Sequence, residues 1–204
     1  MPRLLFLAVL TVAVAILSGC GGAIEDLRTA RDSRDLARRV EALPGTAFRA
    51  VPTTGSARFG GYAFAEARTP DGRTRLIGDA RLTLDFGRGT VRGQASDFFE
   101  AARSNRASVS GAVRFGTRYS RIGAFGGAPN AAPNTFATST TGALTIDGRT
   151  YRIGGGVTGR LVGTRVRPSA GLSPVRGLRI SDVTVAAGPT GPQPFGLAVR
   201  ALNR

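Results

Sequence analysis

Cysteine occurs once in this chain, at Cys20, and the residues in front of it give that thiol a chemistry. Arg3 supplies a short positive start, Leu4 to Leu17 is apolar apart from Thr11, and Leu17-Ser18-Gly19 leads into Cys20. Those are the proportions of a secretory signal peptide over residues 1–19. As a helix the apolar run would span about 21 Å against a hydrocarbon core of roughly 30 Å, which is short for a permanent span. Small residues directly before a cysteine resemble the bacterial lipobox, in which the thiol is acylated and the chain is cut so that Cys20 becomes the first residue. The alternative is a plain secretory signal with a coincidental cysteine. A lone thiol exported to an oxidising compartment has no second cysteine here to pair with, which favours acylation. Three acyl chains, palmitate among them, at about 0.8 kcal/mol per buried methylene exceed the two signals that stable anchoring needs. Gly21-Gly22 follows the cysteine in place of the aspartate associated with inner-membrane retention. The expected localisation is therefore the outer membrane, with Cys20 as the lipidation site.

The remaining chemistry is narrow. There is no His and no Trp, and all 28 cations are arginine. Ser-His-Asp and Cys-His mechanisms and His-ligated metal sites are thereby excluded. Lysine Schiff bases and P-loop lysines are excluded as well. Gly154-Gly155-Gly156-Val157-Thr158-Gly159 satisfies the G-x-G-x-x-G string, but it sits in an alternating strand pattern and opens no helix to receive a phosphate. Asp85-Phe86-Gly87 spells a kinase tripeptide without the lysine or catalytic loop that would give it meaning. Tyr62, Tyr119 and Tyr151 are the only usual haem ligands left after cleavage, and tyrosines in alternating strands belong to cores and rims. The carboxylates show no spacing that sets two across a cleft, so a glycosidase-type hydrolase is disfavoured. No catalytic residue, cofactor or metal ligand is assigned.

The elements that position these residues fall into two regions. Residues 20–56 read as a lipidated tether and helical stalk. Ile24, Leu27, Leu36, Val40 and Leu43 recur at helical spacing, five acids balance five arginines between Glu25 and Glu41, and Pro44-Gly45 stops the helix. This predicts a solvated or loosely docked helix. Past residue 45 lie 22 arginines and 8 acids, so nearly all of the net +15 sits on the body. The absence of lysine reflects codon bias more simply than nucleic-acid binding, and export argues against a nucleic-acid partner.

Over residues 57–204 the hydrophobic period is two. Leu82, Leu84 and Phe86 alternate with polar residues, Gly87-Arg88-Gly89 turns the chain, and Val91, Gly93 and Ala95 resume. Asp147-Gly148 is a hairpin turn between Leu144-x-Ile146 and Tyr151-x-Ile153. Further stretches are Phe59 to Ala67, Ser108 to Phe115, Val157 to Gly163, Leu178 to Val185 and Phe195 to Ala201. The expectation is an all-β, eight-stranded antiparallel up-and-down barrel, with a two-sheet sandwich as the other possibility. Gly93, Gly111 and Gly159 stand at inward positions where strands must coil. A bulge is expected at Ser181-Asp182. One or two helical turns are expected over Asp97 to Arg106, capped by Ser96 with Phe98, Phe99 and Ala102 against the barrel end. A mobile loop is expected over Gly123 to Thr141.

Three segments in order resemble a known pattern. Pro52-Thr-Thr-Gly-Ser-Ala-Arg-Phe-Gly-Gly-Tyr62 is followed by Gly78-Asp-Ala-Arg-Leu-Thr-Leu-Asp-Phe86 and Gly89-Thr-Val-Arg-Gly93. Together they are similar to the barrel domain of the transferrin-binding protein B family of bacterial surface lipoproteins. The likeness covers residues 52 to 95 well and the downstream strands in general character. It implies an eight-stranded barrel on a lipidated tail, displayed to capture host iron or haem proteins or complement regulators. With one barrel and no handle domain in these residues, single-barrel relatives are the nearer comparison, and no family binding residue is carried over.

The expected function is that of a monomeric, membrane-anchored, non-enzymatic binding module for a host or environmental protein, a small ligand or an iron or haem source. Its loops at Ser96 to Arg106 and Gly123 to Thr141 would do the binding. The second reading is a structural lipoprotein facing the periplasm, its arginines on anionic cell-wall or lipopolysaccharide groups.

Overall fold

The computed structural model describes residues 26–70, 72–101, 109–123, 134–164, 175–188 and 191–203. The signal segment and Cys20 lie outside them, as do 102–106 and 124–133 of the two expected loops. Helical residues 26–42 (α1) and a 3-10 turn at Phe48–Ala50 precede eight strands. These are β1 (Ser56–Thr69), β2 (Gly72–Asp85), β3 (Thr90–Glu100), β4 (Val109–Ile122), β5 (Thr135–Ile146), β6 (Arg149–Gly163), β7 (Val175–Gly188) and β8 (Gly191–Asn203). Each runs antiparallel to the next and β8 returns to β1, which closes an up-and-down barrel.

The period-two pattern becomes the barrel wall. Phe59, Ala63 and Ala65 of β1, Leu82 and Leu84 of β2, Leu144 and Ile146 of β5 and Phe195, Leu197 and Val199 of β8 all enter one buried core. Eight strands enclose a lumen that side chains of this size fill. The inward glycines do what their phase predicts. A Cβ on Gly111 (φ 107°) would lie 2.1 Å from the Ala143 carbonyl oxygen, so the neighbouring strand approaches a position only glycine leaves open. At Gly159 the space is taken by the Phe136 ring of the facing strand, 2.2 Å from where a Cβ would be. Asp147 (φ 48°) and Gly148 (φ 74°) make the two-residue turn between β5 and β6.

Several expectations are corrected. Asp97 to Glu100 are strand, with no helical turn there; Asp97 and Phe98 together oppose Gly78, a bulge that puts Asp97 at φ 55°. The bulge resets the inward phase from Val91 and Ala95 to Phe98 and Glu100, which is why the pair Phe98-Phe99 does not read as strand in sequence. The segment given to the Gly123 to Thr141 loop is strand from Thr135 onward, where a threonine-rich run pairs with Gly154 to Arg160 of β6. No bulge occurs at Ser181-Asp182, since β7 pairs with β8 without a break from Gly177 to Gly188; the β6–β7 register shifts instead at Val162/Gly163. The stretches around Tyr151 and Val157 are one strand, because the glycines between them interrupt the apolar alternation and leave the ladder to β5 intact.

The helix docks by only part of the expected stripe, with Val40 buried and Leu36 and Leu43 half-buried. Ala30, Ser33 and Val40 are buried and Ala37 is half-buried, whereas Leu27 is 72% exposed. Small side chains on this stripe let α1 lie close to the outer wall of the barrel. Past Pro44 the chain is stitched to the end of β6: Gly163 N–H donates to Pro44 O, Thr46 N–H donates to Leu161 O, and Gly45 bridges Val162. Asn134 Nδ2 donates to Thr46 O at 2.7 Å, and Val51 packs against the core.

Candidate functional site: the outer wall beneath the helix

Cross-strand pairing sets the floor of the site. Phe64 on β1 stands opposite Ile77 on β2 and Ala198 on β8, and Glu66 stands opposite Arg75 and Gly196. These are outward positions, so an arginine-rich alternation would fill them with polar groups. Phe64 and Ile77 are apolar, and Ile77 is buried although it lies outside the core cluster. With Arg34 of α1 and Ala101 past the end of β3 they enclose a groove of about 790 Å³. A mostly apolar concavity of this size with few polar groups at its rim is the usual form of a small-molecule site. Glu66 is held at that rim by Arg73 and Arg75, at 3.3 and 3.4 Å. Arg34 has no carboxylate partner among the described residues.

Beside the groove the wall carries a row of arginines. Arg160, Arg179 and Arg200 are directly opposite one another across β6, β7 and β8. Like charges facing each other in this way repel. Glu41, reaching over from the last turn of α1, offsets the repulsion: Arg179 Nη1 donates to its Oε2 at 2.8 Å and Arg200 Nε donates to its Oε1. Arg200 spends its other donors on Ile180 O, Val199 O and Ser181 Oγ. Burial pushes the Glu41 carboxyl up, but the hydrogen bonds from Arg179 and Arg200 and their charges outweigh it and hold the group below the ordinary value of 4.5. A shallow depression of about 320 Å³ lies between these side chains and Arg160. Arg160 has no carboxylate partner among the described residues, so the row retains positive charge.

Two sequence features considered separately meet on the far side of the barrel. Between Phe115 and Ser120, four residues of β4 bulge opposite the single residue Ser139. Ser139 Oγ accepts from the N–H groups of Arg118 and Tyr119 and donates to Tyr119 O, which fixes the bulge. Tyr119 is thereby carried across β5, 51% exposed, with its hydroxyl 2.1 Å from where a Cβ on Gly156 would stand. Gly156 thus leaves space for a tyrosine, and the triglycine belongs to a strand throughout. Arg118 and Arg152 flank an open hollow of about 650 Å³ there.

The other sequence candidates are dispersed. Tyr151 is buried in the core and Asp85 accepts from the turn at Arg88 N–H. No three His, Cys, Asp or Glu residues come together among the described residues. Sequence reasoning missed the arginine row and Glu41, since each arginine reads as one more outward residue until register places them side by side. Comparison with protein-family models gave no match, and comparison with curated proteins gave none either.

Proposed function

We propose that this chain is a lipid-anchored envelope protein, held at the outer membrane through acylated Cys20, whose barrel is a non-enzymatic binding module of the transferrin-binding protein B type. The groove of about 790 Å³ between α1 and the outer wall carries this reading, because it is a ready concavity on the element that joins the barrel to its tether. The lipobox-like Leu17-Ser18-Gly19-Cys20 supports the anchor, and the resemblance over residues 52 to 95 supports the module. The ligand is a protein or small molecule bound without turnover by a monomer. Metabolic labelling with a palmitate analogue tests the anchor: label is expected on the wild type and lost in Cys20→Ala. Protease shaving of intact cells tests display: degradation is expected, and full protection until permeabilisation refutes surface exposure.

The arginine row favours a second reading, a periplasm-facing lipoprotein that binds anionic wall polymer or lipopolysaccharide phosphates. On that reading the protein is protected in intact cells and sediments with cell-wall fragments in a salt-sensitive manner.

A further inference from the structure

We propose that the groove beneath α1 binds a single-chain anionic amphiphile, with the acyl chain along Phe64, Ile77 and Ala198 and the acidic head at Arg34. This rests on reading the barrel as a binding module and names the ligand class of that site. An acyl chain is recognised by an apolar trough, and the outward side chains of β1, β2 and β8 supply one at positions where the rest of the wall is polar. The sign of the head follows from the rim. Glu66 is one carboxylate shared by Arg73 and Arg75, so that rim is already net positive, and Arg34, with no carboxylate partner among the described residues, adds an unpaired guanidinium on the helix side of the groove. A guanidinium in that position takes a carboxylate or phosphate in charge-assisted hydrogen bonds and gains only a weaker, neutral hydrogen bond from an uncharged head. The acyl groups of a modified Cys20 bring no anion with them, so they complement the trough and not the arginine.

The floor also offers a clean way to fill the groove. A Cβ on Gly196 would meet Glu66 Cβ at 3.5 Å and Glu66 O at 3.9 Å, which is ordinary contact, so Gly196→Leu occupies the trough without disturbing the ladder. Native mass spectrometry of the full-length chain, released from detergent micelles, reads the outcome with palmitic acid and hexadecanol as probes. The wild type is expected to hold one palmitic acid per chain and to prefer it to hexadecanol. Gly196→Leu is expected to lose both, and Arg34→Gln to lose about tenfold in palmitic acid with hexadecanol unchanged. Equal binding by wild type and Gly196→Leu, or an equal loss of both probes in Arg34→Gln, overturns the proposal. Palmitic acid binding that appears only in Cys20→Ala also overturns it, since the protein's own anchor then fills the groove. Failure here with Cys20 labelled and the barrel shaved from cells removes the ligand assignment alone. Success with an unlabelled Cys20 keeps the ligand and removes the anchor.

Discussion

Glu41→Gln is expected to undock the helix and leave the barrel folded. Glu41 is 46% exposed, while the arginines it joins, Arg179 and Arg200, are 25% and 14% exposed. An exposed ion pair contributes about 0.2–1 kcal/mol and a hydrogen bond to a charged group about 1.5–3 kcal/mol. Two such bonds on a half-exposed carboxylate, discounted for solvent screening, place the contribution at about 2 kcal/mol. Glutamine keeps the shape and one acceptor, but it removes the charge that offsets the facing arginines and turns an amide N–H₂ toward a guanidinium. A loss of about 2 kcal/mol raises the open population of α1 roughly thirtyfold. Hydrogen exchange followed by mass spectrometry reads it directly: amides of residues 30–42 lose that much protection, and strand amides around Leu82 and Val199 keep theirs. Unchanged helix protection, or an equal loss across the barrel, refutes the reasoning.

The pH dependence carries the same sign. Unfolded Glu41 titrates at the ordinary 4.5 and docked Glu41 titrates lower, so the docked state binds fewer protons. The contribution is present above about pH 4.5 and is lost as the pH falls through the lowered value. Helix protection in the wild type should therefore fall in acid, and in Glu41→Gln the step should shrink to what the Asp35–Arg38 pair of the same helix contributes.

Val40→Glu, which buries a charge in the docked stripe, should release α1, whereas Leu27→Glu on the exposed face should change stability by no more than about 0.5 kcal/mol; urea unfolding with helix-specific exchange separates them. Ser139→Ala strands the N–H groups of Arg118 and Tyr119 and should cost about 2 kcal/mol in urea unfolding, with Ser139→Thr retaining most of the stability; equal losses in the two variants would show that the hydroxyl is not what holds the bulge. Thr46 Oγ1 is buried without a hydrogen-bond partner, so Thr46→Val should hold or raise the melting temperature, and a fall beyond a few degrees contradicts that account.

Much of the barrel is legible from residue order. Leu82-x-Leu84 before Gly87-Arg88-Gly89, and the Asp147-Gly148 turn, identify hairpins because alternation and positive-φ turns are properties of a few adjacent residues. The misreadings occur where distant contacts outweigh local pattern. Phe98-Phe99 looks helical until a bulge opposite Gly78 sends Phe98 inward, and Leu27 looks like a core residue until the small residues Ala30 and Ser33 join Val40 on the docked face. At Gly154 to Gly156 the missing side chains suggest a break or a phosphate loop. At Gly156 the missing side chain makes room for Tyr119 from two strands away.

By itself, then, the sequence determined the period, the turns, the helix before the strands and the thiol motif at Cys20, all set within a few residues of chain. Only the tertiary structure decided which side chains become neighbours. Arg160, Arg179 and Arg200 lie about twenty residues apart in the chain and form one row because antiparallel register aligns them, and Glu41 joins that row from outside the sheet. Register depends on bulges and on the fit of whole strands around a closed circle, and no single strand carries that information.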